Sequence, residues 1–136
     1  MRLEAERKTP IDEPSEAQLR SAIMSLRSYG PSSFASLTDE EGNYIQVAGG
    51  GVTCMLERRD MATDRHYRAY SDKSSSVFSD GTVLAFGGGE VQLKSDEWFN
   101  SNAVADAFVA FLKHEDLPDF IKWRDVSSSL SGSPIY

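Results

Sequence analysis

Cysteine is almost missing from this 136-residue chain. Cys54 stands alone, so no internal disulfide forms and a stapled secreted scaffold is excluded. Imidazole is scarce too: His66 and His114 are the only two histidines, and with Cys54 they fall on three separate predicted elements. A zinc site needs about three or four His, Cys or carboxylate ligands at close spacing. No HExxH, CxxC or His-x-Glu with a downstream Cys pair occurs, which excludes a zinc protease or zinc deaminase. Basic charge is in deficit, with 14 Lys and Arg against 21 Asp and Glu, a net charge of −7. The footprint of a direct nucleic-acid binder is therefore lacking. Long apolar runs are lacking as well. The most apolar stretch, 104–112, contains Asp106 and is far too short to span a bilayer. The opening residues 1–8 mix both charges and have no apolar core of a signal peptide. These absences predict a soluble, acidic, cytoplasmic protein with no cofactor, no metal, no membrane contact and no direct nucleic-acid contact. One domain is expected over 1–126, followed by a flexible Ser-rich tail over 127–136.

What is present is a clear change of period. Ser15 and Gln18 match a capping box, and Leu19, Ile23 and Leu26 recur at helical spacing until Tyr29-Gly30-Pro31 stops the helix. From 33 to 94 the apolar period falls to two. Strands are predicted at 34–37 and 44–48 around the turn Asp39-Glu40-Glu41-Gly42-Asn43, then at 52–56, 65–70, 82–86 and 90–94. Asp80-Gly81 reads as the loop of a short hairpin joining Val77-Phe78 to 82–86. A second helix follows Asn100-Ser101-Asn102, with Val104, Ala107, Phe108, Phe111 and Leu112 on its core face and His114 in its last turn. Residues 121–126 add a final strand with Trp123 in the core. Residues 2–7 read equally as an edge strand or a frayed terminus. The expected fold class is α+β: a curled antiparallel sheet of about five to six strands with two helices packed on one face.

Little in this pattern carries chemistry. The triplets Gly49-Gly50-Gly51 and Gly87-Gly88-Gly89 are each followed by a strand, whereas a phosphate loop must open a helix; they mark bends. Cys54 lies on an apolar face beside Val52 and Leu56, where a thiol acts as a small hydrophobe, and His66 reads as a hydrogen-bonded sheet residue. Surface character is the remaining signal. Glu90, Asp96, Glu97 and Trp98 place carboxylates beside an aromatic anchor, and Asp39, Glu40 and Glu41 form a second acidic patch. Such a surface suits a basic protein partner, because charge steers the encounter and a ring supplies buried area.

The order of elements resembles a family of immunity proteins from bacterial polymorphic toxin systems. The resemblance rests on the first helix and on the strand, acidic turn and strand from Phe34 to Ile45. It continues with the run Gly88-Gly89-Glu90-Val91-Gln92-Leu93, the helix positions Val104, Ala107, Phe108 and Phe111, then Leu117-Pro118, and Trp123 followed by Asp125. It covers 15–126, and the chain departs from it in its Ser-rich tail and in the triplet Gly49-Gly50-Gly51. The resemblance implies an α+β inhibitor, not an enzyme, that binds one secreted toxin and protects the producing cell. Members of this group are similar to those paired with nucleobase-deaminase toxins, including ones acting on double-stranded DNA. The expected partner is thus a toxin with a basic groove, nuclease or deaminase, occluded by Glu90, Asp96, Glu97 and Trp98 with Asp39, Glu40 and Glu41. The alternative is a small ligand-binding or regulatory domain using the concave face of the sheet, and an enzyme built on His66 ranks last.

Overall fold

The computed structural model describes residues 1–128. In chain order, β1 (Arg2–Ala5) and β2 (Ile11–Asp12) precede α1 (Glu16–Met24). The strands β3 (Phe34–Thr38), β4 (Tyr44–Gly50), β5 (Thr53–Asp60) and β6 (Arg65–Tyr70) follow, then β7 (Thr82–Phe86) and β8 (Gly89–Leu93). The chain continues through α2 (Ser101–Leu112) into β9 (Lys122–Asp125). Seven of the strands make one antiparallel sheet in the order β2-β1-β3-β4-β5-β6-β9, and β7 and β8 form a separate hairpin. The fold is α+β with both helices on one face of the sheet, as expected. The sheet gains β1 and β2 because residues 2–5 do form a strand, which β2 then flanks, and the expected final strand, β9, closes the far edge against β6.

Local chemistry sets the helix ends. Ser15 Oγ accepts the Gln18 amide at 3.1 Å while Gln18 Oε1 accepts the Ser15 amide at 2.9 Å, so the capping box satisfies two otherwise orphaned donors. Asn100 Oδ1 accepts the Ala103 amide at 2.9 Å and starts α2. The buried face of α2 is Val104, Ala105, Ala107, Phe108 and Val109, while Phe111 and Leu112 are only partly buried. His114 lies outside the helix, beyond the C-cap residue Lys113. Its φ of 56° makes it the left-handed turn by which the chain leaves.

Three sequence expectations are corrected by tertiary contacts. No strand forms at 77–78. Instead β7 pairs with β8 across Gly87-Gly88, and Phe78 stacks on Trp98 with ring centroids 4.3 Å apart. Asp80-Gly81 ties the base of that hairpin to the chain beyond it: Asp80 Oδ1 accepts the Ser95 amide at 2.7 Å, and Gly81 N donates to the Leu93 carbonyl at 2.9 Å. Val52 is not a buried strand residue. It sits exposed in the β4–β5 turn after Gly51 (φ 67°), and β5 begins at Thr53 and runs on to Asp60. Charged Glu57, Arg58 and Arg59 hide that extension from a hydrophobic pattern. Of the predicted tail, Ser127 is fastened to β6, its Oγ accepting the His66 amide at 2.8 Å; residues 129–136 lie outside the described residues.

The sheet separates two layers. On one face Leu37, Ile45, Val47 and Leu56 meet Leu19, Ile23 and Leu26 from the α1 side and Val104, Ala107 and Phe108 of α2. On the other, Ala48 and Met55 meet Leu84 and Leu93, so the β7–β8 hairpin covers part of that face as a flap. Beside the flap the pairing register lines up Glu4, Ser36, Gln46, Glu57, Arg68 and Arg124 on six consecutive strands, a polar row across the whole sheet.

Candidate functional site

The polar row becomes an ion network where the flap meets it. Glu57, 4% exposed, accepts Arg68 Nε at 2.8 Å and Gln46 Nε2 at 3.1 Å, and lies 3.3 Å from His66 Nε2. Glu97, 2% exposed, accepts Arg124 at 2.8 Å and the Lys94 amide at 2.7 Å. Arg124 also takes both oxygens of Asp96, at 3.2 and 3.3 Å, and lies 4.4 Å over the Tyr70 ring. Burial alone would push the Glu57 carboxyl up. The His66 hydrogen bond and the Arg68 charge outweigh it and hold the group below the ordinary carboxylate value.

This network disposes of part of the predicted site. Glu97 points inward, and Asp96 is neutralised by a two-pronged arginine; neither presents free charge to a partner. Glu90 is exposed on β8, opposite Ala85. Trp98 is partly buried against the flap core and stacked on Phe78, and its Nε1 is buried with no hydrogen-bond partner among the described residues. Arg68 and Arg124, which sequence reasoning did not select, decide the matter. Their signal was slight: each basic residue occupies an alternate position of a short strand that pairs with its neighbour only in three dimensions.

The second predicted patch lies at the other end of the molecule. β4 alone is seven residues long, so its two ends are about 20 Å apart. Asp39 is consumed by its turn, its Oδ1 accepting the amides of Glu41 and Asn43 at 2.9 Å each, but Glu40 and Glu41 project into solvent. Asn43 Oδ1 accepts the Met61 amide at 2.7 Å and so clamps the β5–β6 turn alongside. Asp39 and Asp60 then share a recess of about 240 Å³ with Arg58, Arg59, Phe111 and Leu117, which brings exposed Glu115 and Asp116 to the same end. The nearby cations are committed. Arg2 pairs with Asp12 at 3.1 Å, Lys113 with Glu16 at 2.7 Å, Arg65 with Asp125 at 3.3 Å, and Arg59 with Asp64. Arg58 lies 4.3 Å over the Tyr67 ring and 4.9 Å over the Trp123 ring. Glu40, Glu41, Glu115 and Asp116 make no ion pair among the described residues, and together they form an acidic end.

Nucleophilic chemistry finds no footing at the residues considered for it. Cys54 is 1% exposed and burial pushes its thiol up to about 11, the reverse of what an attacking thiolate needs. His66, 3% exposed, is spent on Glu57 and on Tyr44, whose hydroxyl is 3.4 Å from Nδ1. Among the described residues no three His, Cys, Asp or Glu side chains are grouped to hold a metal, and no helix is long and apolar enough to cross a membrane. No protein-family model matches the chain, and no curated protein matches it either.

Proposed function

We propose that this chain is an immunity-type inhibitor, a cytoplasmic binding module that catalyses nothing. It occludes the basic active-site groove of a secreted, nucleic-acid-acting toxin, a nuclease or nucleobase deaminase. The observation that carries this reading is the acidic end: Glu40, Glu41, Glu115 and Asp116 stand exposed, while Arg2, Arg59, Arg65 and Lys113 are each held by another carboxylate and Arg58 lies against the Tyr67 and Trp123 rings. A groove built to hold phosphates attracts such a surface, since the field that draws nucleic acid draws any comparable array of negative charge. The neighbouring recess with Phe111 and Leu117 supplies apolar area at the centre of the contact, where affinity concentrates. Asp96 and Glu97 support the scaffold instead, and Glu90 on the flap lies outside the contact.

The test is neutralisation in cells. The product of the reading frame adjoining this gene is expressed with and without this protein, and survival is scored. The wild-type chain restores growth, while the variant Glu40→Lys/Glu41→Lys/Glu115→Lys/Asp116→Lys, folded by circular dichroism, loses protection by a hundred-fold or more in viable count. Full protection by that folded variant would overturn the assignment of the acidic end.

A further inference from the structure

Far from the acidic end, a groove of about 560 Å³ runs between α1 and the corner where β1 turns into β2. Its volume falls in the range of small-molecule sites. In a chain with 21 carboxylates, none lines this groove; its one charged lining residue is Lys8. Lys8 is exposed and makes no ion pair among the described residues, and the same holds for Arg7 beside it. Its helix wall also carries Ser21 and Gln18, the latter with its side-chain oxygen turned back onto the Ser15 amide. Lys8, with its amide on the Ala5 carbonyl, stands at the end holding Ser25 and Ser32, while Leu3 and Ile11, paired across β1 and β2, floor the other end beside Ala17. From Ala17 to Ser25 the helix wall is about 12 Å long.

We infer that this groove binds a free medium-chain carboxylate, a saturated fatty acid with its head group on Lys8 and its tail along Leu3, Ile11 and Ala17. The charge pattern selects the occupant. An apolar floor of Leu3, Ile11 and Ala17 with Lys8 as the one charged lining residue matches a one-headed anionic amphiphile. A basic protein partner would find no carboxylate here to answer it. The inference is independent of toxin inhibition, and either reading stands if the other fails.

Decanoate, below its aggregation concentration, is the probe, with binding read by calorimetry and by amide shifts in a nitrogen-15 spectrum. Decanoate binds the wild-type chain and raises its melting temperature, with shifts centred on Lys8, Ser21 and Ser25. Lys8→Glu weakens binding at least ten-fold, Lys8→Arg restores it, and Ser21→Trp, which fills the groove, abolishes it while circular dichroism stays native. Three results would each overturn the inference: decanol binding as tightly as decanoate, decanoate binding undiminished in Ser21→Trp, or association only with anionic phosphatidylglycerol vesicles and not with monomeric decanoate.

Discussion

Glu57 shows how one buried carboxylate makes stability depend on pH. Its side chain is desolvated yet still titrates below its ordinary value near 4.5, because His66 and Arg68 favour the charged form more than burial opposes it. A group with a depressed folded value stabilises the native state fully above the unfolded value. That contribution drains away as pH falls through the folded value. The native chain should therefore lose stability steeply from about pH 4.5 downward, as measured by urea midpoints at successive pH values. Glu57→Gln keeps the shape and discards the titration, so its midpoint should be lower near neutrality and its acid slope flatter. An unchanged slope in Glu57→Gln would mean that other carboxylates carry the acid sensitivity. The sequence displayed Glu57 only as a polar position in a strand. Its partners sit at 46, 66 and 68, on strands whose register no periodicity reports.

At the scale of elements, local signals that close within a few residues were legible and those that depend on docking were not. The capping box at Ser15 and Gln18 and the acidic turn at 39–43 each satisfy their own amides, and both formed where the sequence placed them. Asp80-Gly81 carries an equally strong turn signal, yet its aspartate reaches 15 residues onward to Ser95. The flap then folds about Gly87-Gly88, where a side chain at 87 would collide with the Glu6 carboxylate. The acidic character of 39–41 was readable, whereas the pairing of Asp96 and Glu97 with Arg124 needed β9 in place. The flap is held chiefly by Leu84 and Leu93 on Ala48 and Met55. Leu93→Ala should therefore cost about 2–5 kcal/mol, the range for truncating a buried leucine. Its mark should be local: amides of 82–93 exchange faster than those of β4 and β5, as measured by hydrogen exchange. Uniform acceleration over all strands would show that flap and sheet unfold as one unit.

Across the whole molecule, charge is distributed by function of place. The sheet's interior charges cancel in Glu57–Arg68 and Glu97–Arg124, the groove beside α1 has no carboxylate, and Glu40, Glu41, Glu115 and Asp116 stand without ion pairs at the end formed by the 39–43 turn and the exit from α2, with Glu90 apart on the flap. A molecule polarised in this way approaches a cationic groove end-on, because the long-range field selects orientation before any contact forms. Salt screens that field, with a Debye length of about 10 Å at 0.1 M and about 3 Å at 1 M. If the proposed toxin partner binds this end, its association rate should fall about ten-fold or more from low to high salt, while the dissociation rate, set by contacts around Phe111 and Leu117, changes little. The Lys-substituted acidic-end variant should associate most slowly at low salt and faster as salt screens the repulsion, a slope of opposite sign. Stopped-flow mixing resolves the two rates separately. A salt effect confined to dissociation would place the charges inside the finished contact and remove their role in guiding the approach.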